Sequence, residues 1–141
     1  MHLFEHFHGI GQIYNDLKLD NILVGDKDNS LQSLSKITLI DFGLCSSYLD
    51  KDGKHVKDEA QKCFMGNMAM ASVNAMNFRS VSRRDDLISL CYLLIYMVQG
   101  KLKFLETAAG SKHDQMSQIV TAKNALTPQD LCKSSRAAPF I

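Results

Sequence analysis

"IYNDLKLDNILVG", residues 13–25, sets Asp16, Lys18 and Asn21 in the order D-x-K-x-x-N immediately before an apolar run, Ile22, Leu23 and Val24. Two readings compete for such a stretch. Asn and Asp bond their own backbone and fill turns, so a loop leading into a strand uses these residues without any chemistry. The same letters at the same spacing also suit phosphoryl transfer, in which an aspartate orients a hydroxyl nucleophile and a later asparagine holds a metal ion. Three fixed letters recur by chance in unrelated chains, so the rest of the sequence has to decide.

The next apolar run, Ile37–Ile40, is followed directly by Asp41-Phe42-Gly43. A carboxylate at a strand end, beside a glycine that lets the backbone turn, is placed to reach into a site. The two runs predict a small hairpin with a loop longer than a tight turn, which would bring Asn21 and Asp41 out at the same end. An amide oxygen and a carboxylate are hard ligands of the kind magnesium takes, usually together with substrate phosphates.

Composition limits the other possibilities. The 141 residues make one domain at most, with 45% hydrophobic and 22% charged residues. A net charge of +1 gives no electrostatic reason to expect nucleic acid or a membrane surface as partner. Cys45, Cys63, Cys91 and Cys132 form no C-x-x-C pair, so reduced, partly buried thiols are expected. "MHLFEHFHG" lacks a basic n-region and a long apolar run, and the expected location is cytoplasmic or nuclear. "LISLCYLLIYMV", residues 87–98, is too short for a span of about 20 residues and reads as a helix buried on most of its faces.

Helical spacing of Leu3, Phe4 and Phe7 predicts the end of a helix, stopped by Gly9 and Gly11. Residues 41–78 lack periodicity and read as a long irregular segment, which in a compact domain is usually functional or disordered. Helices are expected at about 83–99, at 112–123, and after Thr127, the cap, with Pro128 as first helical residue. His2, His6 and His8 lack a fourth ligand at useful spacing. The Met-rich "FMGNMAMASVNAM" reads as core and groove packing, because Met fills irregular gaps.

"YNDLKLDNILV" followed by "LIDFGL" resembles the catalytic and magnesium loops of eukaryotic protein kinases. Gly66, Ser72-Val73-Asn74, Arg83-Arg84-Asp85-Asp86-Leu87 and "LTPQDLCK" narrow the resemblance to the casein kinase I-like serine/threonine kinases, which carry a Ser-Ile-Asn-like element in place of A-P-E. The resemblance covers almost all of the chain. It implies a mainly α (α+β) fold, a protein-kinase-like C-terminal lobe with one small β-hairpin, the N-terminal lobe being absent. Residues 1–141 would then be a partial kinase domain, from the helix before the catalytic loop to the start of a late helix.

By position, the resemblance makes Asp16 the catalytic base and Lys18 the cation that neutralises the transferring phosphoryl. Asn21 and Asp41 would hold Mg2+ on ATP, and Asp86 would steady the catalytic-loop backbone. The implied function is transfer of the ATP γ-phosphate to Ser or Thr of a protein substrate, with the isolated fragment inactive. A partner covering the place of the missing lobe is also implied, and the rival reading is a pseudokinase or scaffold lobe. The chain departs from the family at Tyr14-Asn15-Asp16, where His-Arg-Asp is usual, so no arginine rewards phosphorylation of the activation segment. Asn67 stands for a threonine and would bond Asp16; Ala69 replaces an arginine of the anion pocket, while Lys62 fits a basic residue there.

Overall fold

In a computed structural model, which describes residues 2–25, 36–106 and 108–132, the chain is mainly helical with two very small sheets. Helix α1, His2–Gly9, leads through Gly11 into the two-residue strand β1, Gln12–Ile13. The stretch after it stays irregular until a 3-10 turn at Leu19–Asn21, which opens directly into β2, Ile22–Val24. Strand β3, Ile37–Leu39, pairs antiparallel with β2 in the register Ile22↔Leu39, Leu23↔Thr38 and Val24↔Ile37. The expected hairpin is therefore present, while the tip of its loop, residues 26–35, lies outside the described residues, as do Lys133 and the tail to Ile141.

A second pairing was not expected: Gln12 and Ile13 of β1 pair with Ser47 and Ser46 of β4, Ser46–Ser47. Two residues of mixed polarity carry no alternation, so a strand this short has no pattern to read. The pairing lays the segment after Asp41-Phe42-Gly43 alongside the start of the 13–25 stretch. The Tyr48 hydroxyl extends the join by donating to His8 O at 2.7 Å.

Residues 48–72 are irregular, as the sequence predicts, and end in the single turn α2, Val73–Met76, whose cap Ser72 accepts from Ala75 N. Helix α3, Arg83–Gln99, runs from Ser82, whose N–H reaches Asp85 Oδ2 at 2.7 Å, to Gly100. Gly100 closes it in the left-handed conformation, φ 73°, a geometry that suits a residue without Cβ. A 3-10 turn at Lys103–Leu105 leads to α4, Lys112–Ala125, capped by Ser111, and to α5, Pro128–Cys132. Thr127 caps α5 as expected: its Oγ1 accepts from Asp130 N at 3.1 Å.

The core gathers Phe4, Tyr14, Met76, Leu93, Phe104 and Ile119 from elements far apart in the chain. One expectation needs correction. Helix α3 is not buried on most of its faces: its buried residues are Asp85, Asp86, Ser89 and Leu93, while Leu87, Cys91, Leu94, Met97 and Val98 stay exposed. The inward stripe is partly polar because it carries the groups that shape the site. An unbroken apolar run says nothing about which of its faces has a neighbour. The thiols are free as expected, but Cys63 and Cys91 are exposed and only Cys132 is buried.

Candidate active site

Asp86 organises the 13–25 loop from across the molecule. Its carboxylate is 1% exposed and accepts from Tyr14 N at 2.8 Å, Asn15 N at 2.9 Å and His8 Nε2 at 2.9 Å. Two successive backbone N–H groups are thereby aimed at one buried anion, a charge-assisted arrangement stronger than neutral bonds. Asn15, the second of the two, takes φ 66°, in the left-handed region where asparagine is among the best-tolerated residues. The next residue is Asp16, so its direction follows from that turn.

Asp16 is 6% exposed and is met by both of its motif partners. Lys18 Nζ lies 2.6 Å from Asp16 Oδ2, and Asn21 Nδ2 donates to Asp16 Oδ2 and to Asp16 O, each at 2.9 Å. The bond to Asp16 holds the Lys18 ammonium above its ordinary value, and the negative charge of Asp41 adds to that. The Asn21 nitrogen is turned toward Asp16, and the buried Asn21 side chain also bonds that of Tyr14.

Asp41 sits at the end of the neighbouring strand. Ile40 N bonds Asn21 O at 3.0 Å, which continues the hairpin ladder by one residue and brings Asn21 and Asp41 to the same end. Asp41 is exposed, takes φ 58°, and its Oδ1 accepts from Gly43 N at 3.2 Å. An exposed carboxylate and an amide side chain at the same strand end are the donor types taken by a hard divalent cation that also expects oxygens from substrate. Among the described residues there is no group of three or more His, Cys, Asp or Glu that could hold a metal by itself. His2, His6 and His8 accordingly form no cluster, and His8 is engaged by Asp86.

Between the loop and Asp41 stands Tyr14, fully buried, with its hydroxyl donating to Ile40 O. Burial raises its phenol above the ordinary value, so it stays neutral and keeps its proton for that bond. Its ring meets Phe42 edge-on at 5.7 Å, and Phe7 lies 5.9 Å from Phe42, yet Phe42 remains 53% exposed. Asn15 adds a polar tie: Nδ2 donates to Leu44 O at 3.0 Å and to Ser46 Oγ at 2.9 Å. The residue that replaces an arginine thus binds the segment after Asp41 directly.

The irregular segment approaches the loop at Gly66. A Cβ there would lie 2.8 Å from Asn15 O, and φ is 109°, so only glycine fits without displacement. Asn67 does not bond Asp16 as expected. Its Oδ1 accepts from Ala69 N at 2.9 Å and Met70 N at 3.3 Å, because the amide is short enough to close its own turn. Ser72 Oγ donates to Asp85 at 2.5 Å and Asn74 Nδ2 reaches the same oxygen at 3.4 Å, tying the Ser-Val-Asn element to the start of α3.

A cleft of about 580 Å³ opens between this segment and α3, lined by Asn15, Ser46, Cys63, Ser72, Arg79 and Asp85 among others. Asp16, Lys18, Asn21 and Asp41 are not part of its wall. Lys62, the remaining basic residue of the expected anion pocket, is exposed, and Ala69 offers no charge.

Sequence reasoning missed Lys123. Its side chain, on α4, is buried and its Nζ reaches the backbone carbonyls of residues 68, 69 and 71. The available signal was its spacing, four residues after Ile119, which puts both on one helix stripe.

The protein kinase domain family matches residues 1–141. A probable casein kinase I homologue from Encephalitozoon cuniculi is 33% identical over 132 residues, 94% of this chain and 39% of that protein. A casein kinase 1-like protein from Oryza sativa subsp. japonica is 35% identical over 140 residues, 98% of this chain and 19% of that protein. The chain therefore spans well under half the length of these relatives. Among the described residues no helix is long and apolar enough to cross a membrane.

Proposed function

The chain belongs to the protein kinase family and is casein kinase I-like, and from that premise we propose that it forms the C-terminal lobe of a serine/threonine kinase. In this reading the intact kinase, of which this lobe is one part, transfers the ATP γ-phosphate to a protein hydroxyl. The observation that carries it is the closed set of contacts at Asp16, where the one carboxylate is held by both Lys18 and Asn21 while Asp41 stands at the same end of the hairpin.

Asp16 is the base: held by Asn21 and aimed by the Asn15 turn, it accepts the hydroxyl proton of the substrate as the new P–O bond forms and the bond from the γ-phosphorus to the β–γ bridging oxygen breaks, releasing ADP. Lys18 keeps its charge next to it and meets the negative charge on the moving phosphoryl group. Asn21 Oδ1 and Asp41 would hold Mg2+, which supplies charge neutralisation on the nucleotide phosphates. Such transfer needs little covalent chemistry from the protein, so rate resides in positioning and electrostatics at these four side chains.

These 141 residues contain no G-x-G-x-x-G loop and no lysine on a preceding strand, the groups that cover ATP phosphates in kinases. The isolated chain is accordingly expected to show no kinase activity and to bind MgATP more weakly than about millimolar. With a casein kinase I N-terminal lobe joined ahead of residue 1, Asp16→Asn and Asp41→Ala should each lower kcat about a hundredfold or more. An active fusion in which both variants keep near-full rate would overturn the assignment. A docking or pseudokinase role is favoured by one observation, Asn15 bonded to Leu44 O with Phe42 left 53% exposed against the Tyr14 ring. An inactive fusion that still captures a protein partner would select that role.

A further inference from the structure

Lys123 carries a buried amino group that no carboxylate among the described residues pairs with. It is 6% exposed, and its Nζ donates to Ala71 O at 2.6 Å, Met68 O at 3.0 Å and Ala69 O at 3.2 Å. Met76 Sδ lies 3.8 Å away, and the rings of Tyr92 and Phe104 stand 4.5 and 4.6 Å from it. The neighbours thus come from the 68–71 turn, α2, α3 and the 3-10 turn at Lys103–Leu105, and no carboxylate pairs with it among the described residues. Lysine is almost never fully buried unless partnered, and here carbonyl dipoles and ring faces take the place of an anion.

The carbonyls it gathers belong to one tight turn. Met70 N and Ala71 N bond Asn67 O at 3.2 and 2.8 Å, and Ala69 N bonds Asn67 Oδ1 at 2.9 Å, so residues 67–71 move as a unit. Gly66, the residue before this turn, packs against Asn15 O, one peptide from Asp16. A continuous set of contacts therefore runs from α4 through the turn to the candidate base.

We propose that Lys123 is a positioning residue, a clamp from α4 that fixes the Met68–Ala71 turn and thereby the Gly66 contact that borders Asp16. The consequence for phosphoryl transfer rests on the kinase reading; the clamp itself does not. Burial alone would favour an apolar residue at this place, since desolvating an ammonium is costly. A methionine would fill the same volume but could not order three carbonyls that point inward.

The test is amide exchange and backbone NMR on the 141-residue chain. In Lys123→Met, the amides of Ala69, Met70 and Ala71 should exchange about tenfold or more faster, as expected for lost hydrogen bonds. The Asp16 amide resonance should shift with them, while amides of residues 90–94 in α3 keep their protection. Lys123→Arg, which retains donors, should restore the turn in part. Unchanged exchange in the turn would overturn the proposal. So would equal acceleration in α3, because Lys123 would then only support the core. If Lys123→Met fails to fold, the unmutated chain decides. A slowly exchanging Nζ signal with couplings across hydrogen bonds to the carbonyls of residues 68, 69 and 71 supports the clamp, and a solvent-like Nζ signal refutes it. Nucleotide takes no part in these readouts, so failure of the kinase reading would leave them unaffected.

Discussion

Replacing Asp86 by asparagine should unfold the 13–25 loop from its present shape, and the cost can be worked from the contacts. The carboxylate offers Oδ1 to Asn15 N at 2.9 Å and Oδ2 to both Tyr14 N at 2.8 Å and His8 Nε2 at 2.9 Å. An asparagine amide has one acceptor oxygen and an NH2 group that must face either Asn15 N–H or the Tyr14 and His8 pair. At least one charge-assisted bond is lost, about 1.5–3 kcal/mol, and one backbone N–H is left facing another donor, about 1–3 kcal/mol. The site is too buried for water to repair this freely, so the sum is about 2.5–6 kcal/mol, which brackets the range of about 3–5 kcal/mol for breaking a buried charged contact. Against a total stability of about 5–15 kcal/mol for an ordinary domain, that is about a sixth at the least and, for a marginal domain, all of it. Urea unfolding followed by circular dichroism would report it as a lower midpoint at unchanged slope. A loss below about 1 kcal/mol would refute the idea that this carboxylate shapes the loop.

Gly66→Ala should cost about 2–3 kcal/mol in the same assay, since φ 109° is strained for alanine and the new Cβ meets Asn15 O; a neutral effect would show that the approach is loose. Asn15→Ala removes both Nδ2 bonds and leaves alanine in a left-handed turn, so a loss of about 2 kcal/mol and faster protease cutting at residues 44–50 are expected, with no change in either measure as the contrary result. For Lys123, burial lowers the ammonium from 10.5 to about 7. The unfolded chain then holds more protons between those values, so this group makes stability rise with pH across that window and contributes a constant below it. The stability difference between the unmutated chain and Lys123→Met should therefore change in favour of the former from pH 7 to 10.5, by at most on the order of 5 kcal/mol. A flat difference would mean that Lys123 keeps its ordinary value.

The parts of the site that were legible are those in which neighbouring letters do the work. Asp16, Lys18 and Asn21 lie within one short loop, and Asp41 follows a run whose partner strand is also in view, so order and spacing alone bring them together. Asp86 was legible only through family resemblance, since nothing near it in sequence shows which amides it faces. Lys123 was missed because a lysine in a polar helix reads as solvated, and burial among carbonyls leaves no local trace. The open face of α3 was misjudged for a related reason: Leu87, Leu94 and Met97 are apolar whether or not anything covers them. The β1–β4 pairing is too short to have a period, and Asn67 was assigned by analogy to a threonine whose geometry its longer amide does not share.

The bonds from Asp86 reach back 72 residues to Tyr14, 71 to Asn15 and 78 to His8. Contacts of such separation form late, because loop closure must come before they give any return. During synthesis from the N-terminus, the 13–25 segment therefore leaves the ribosome well before the residue that shapes it has been made. Until then Leu23, Val24 and Ile37, which are exposed even in the finished fold, stand as a short two-stranded ribbon, an element that is marginal by itself and whose unpaired edges invite association with other chains. The time between translation of the hairpin and translation of α3 is the interval in which this chain most needs a chaperone.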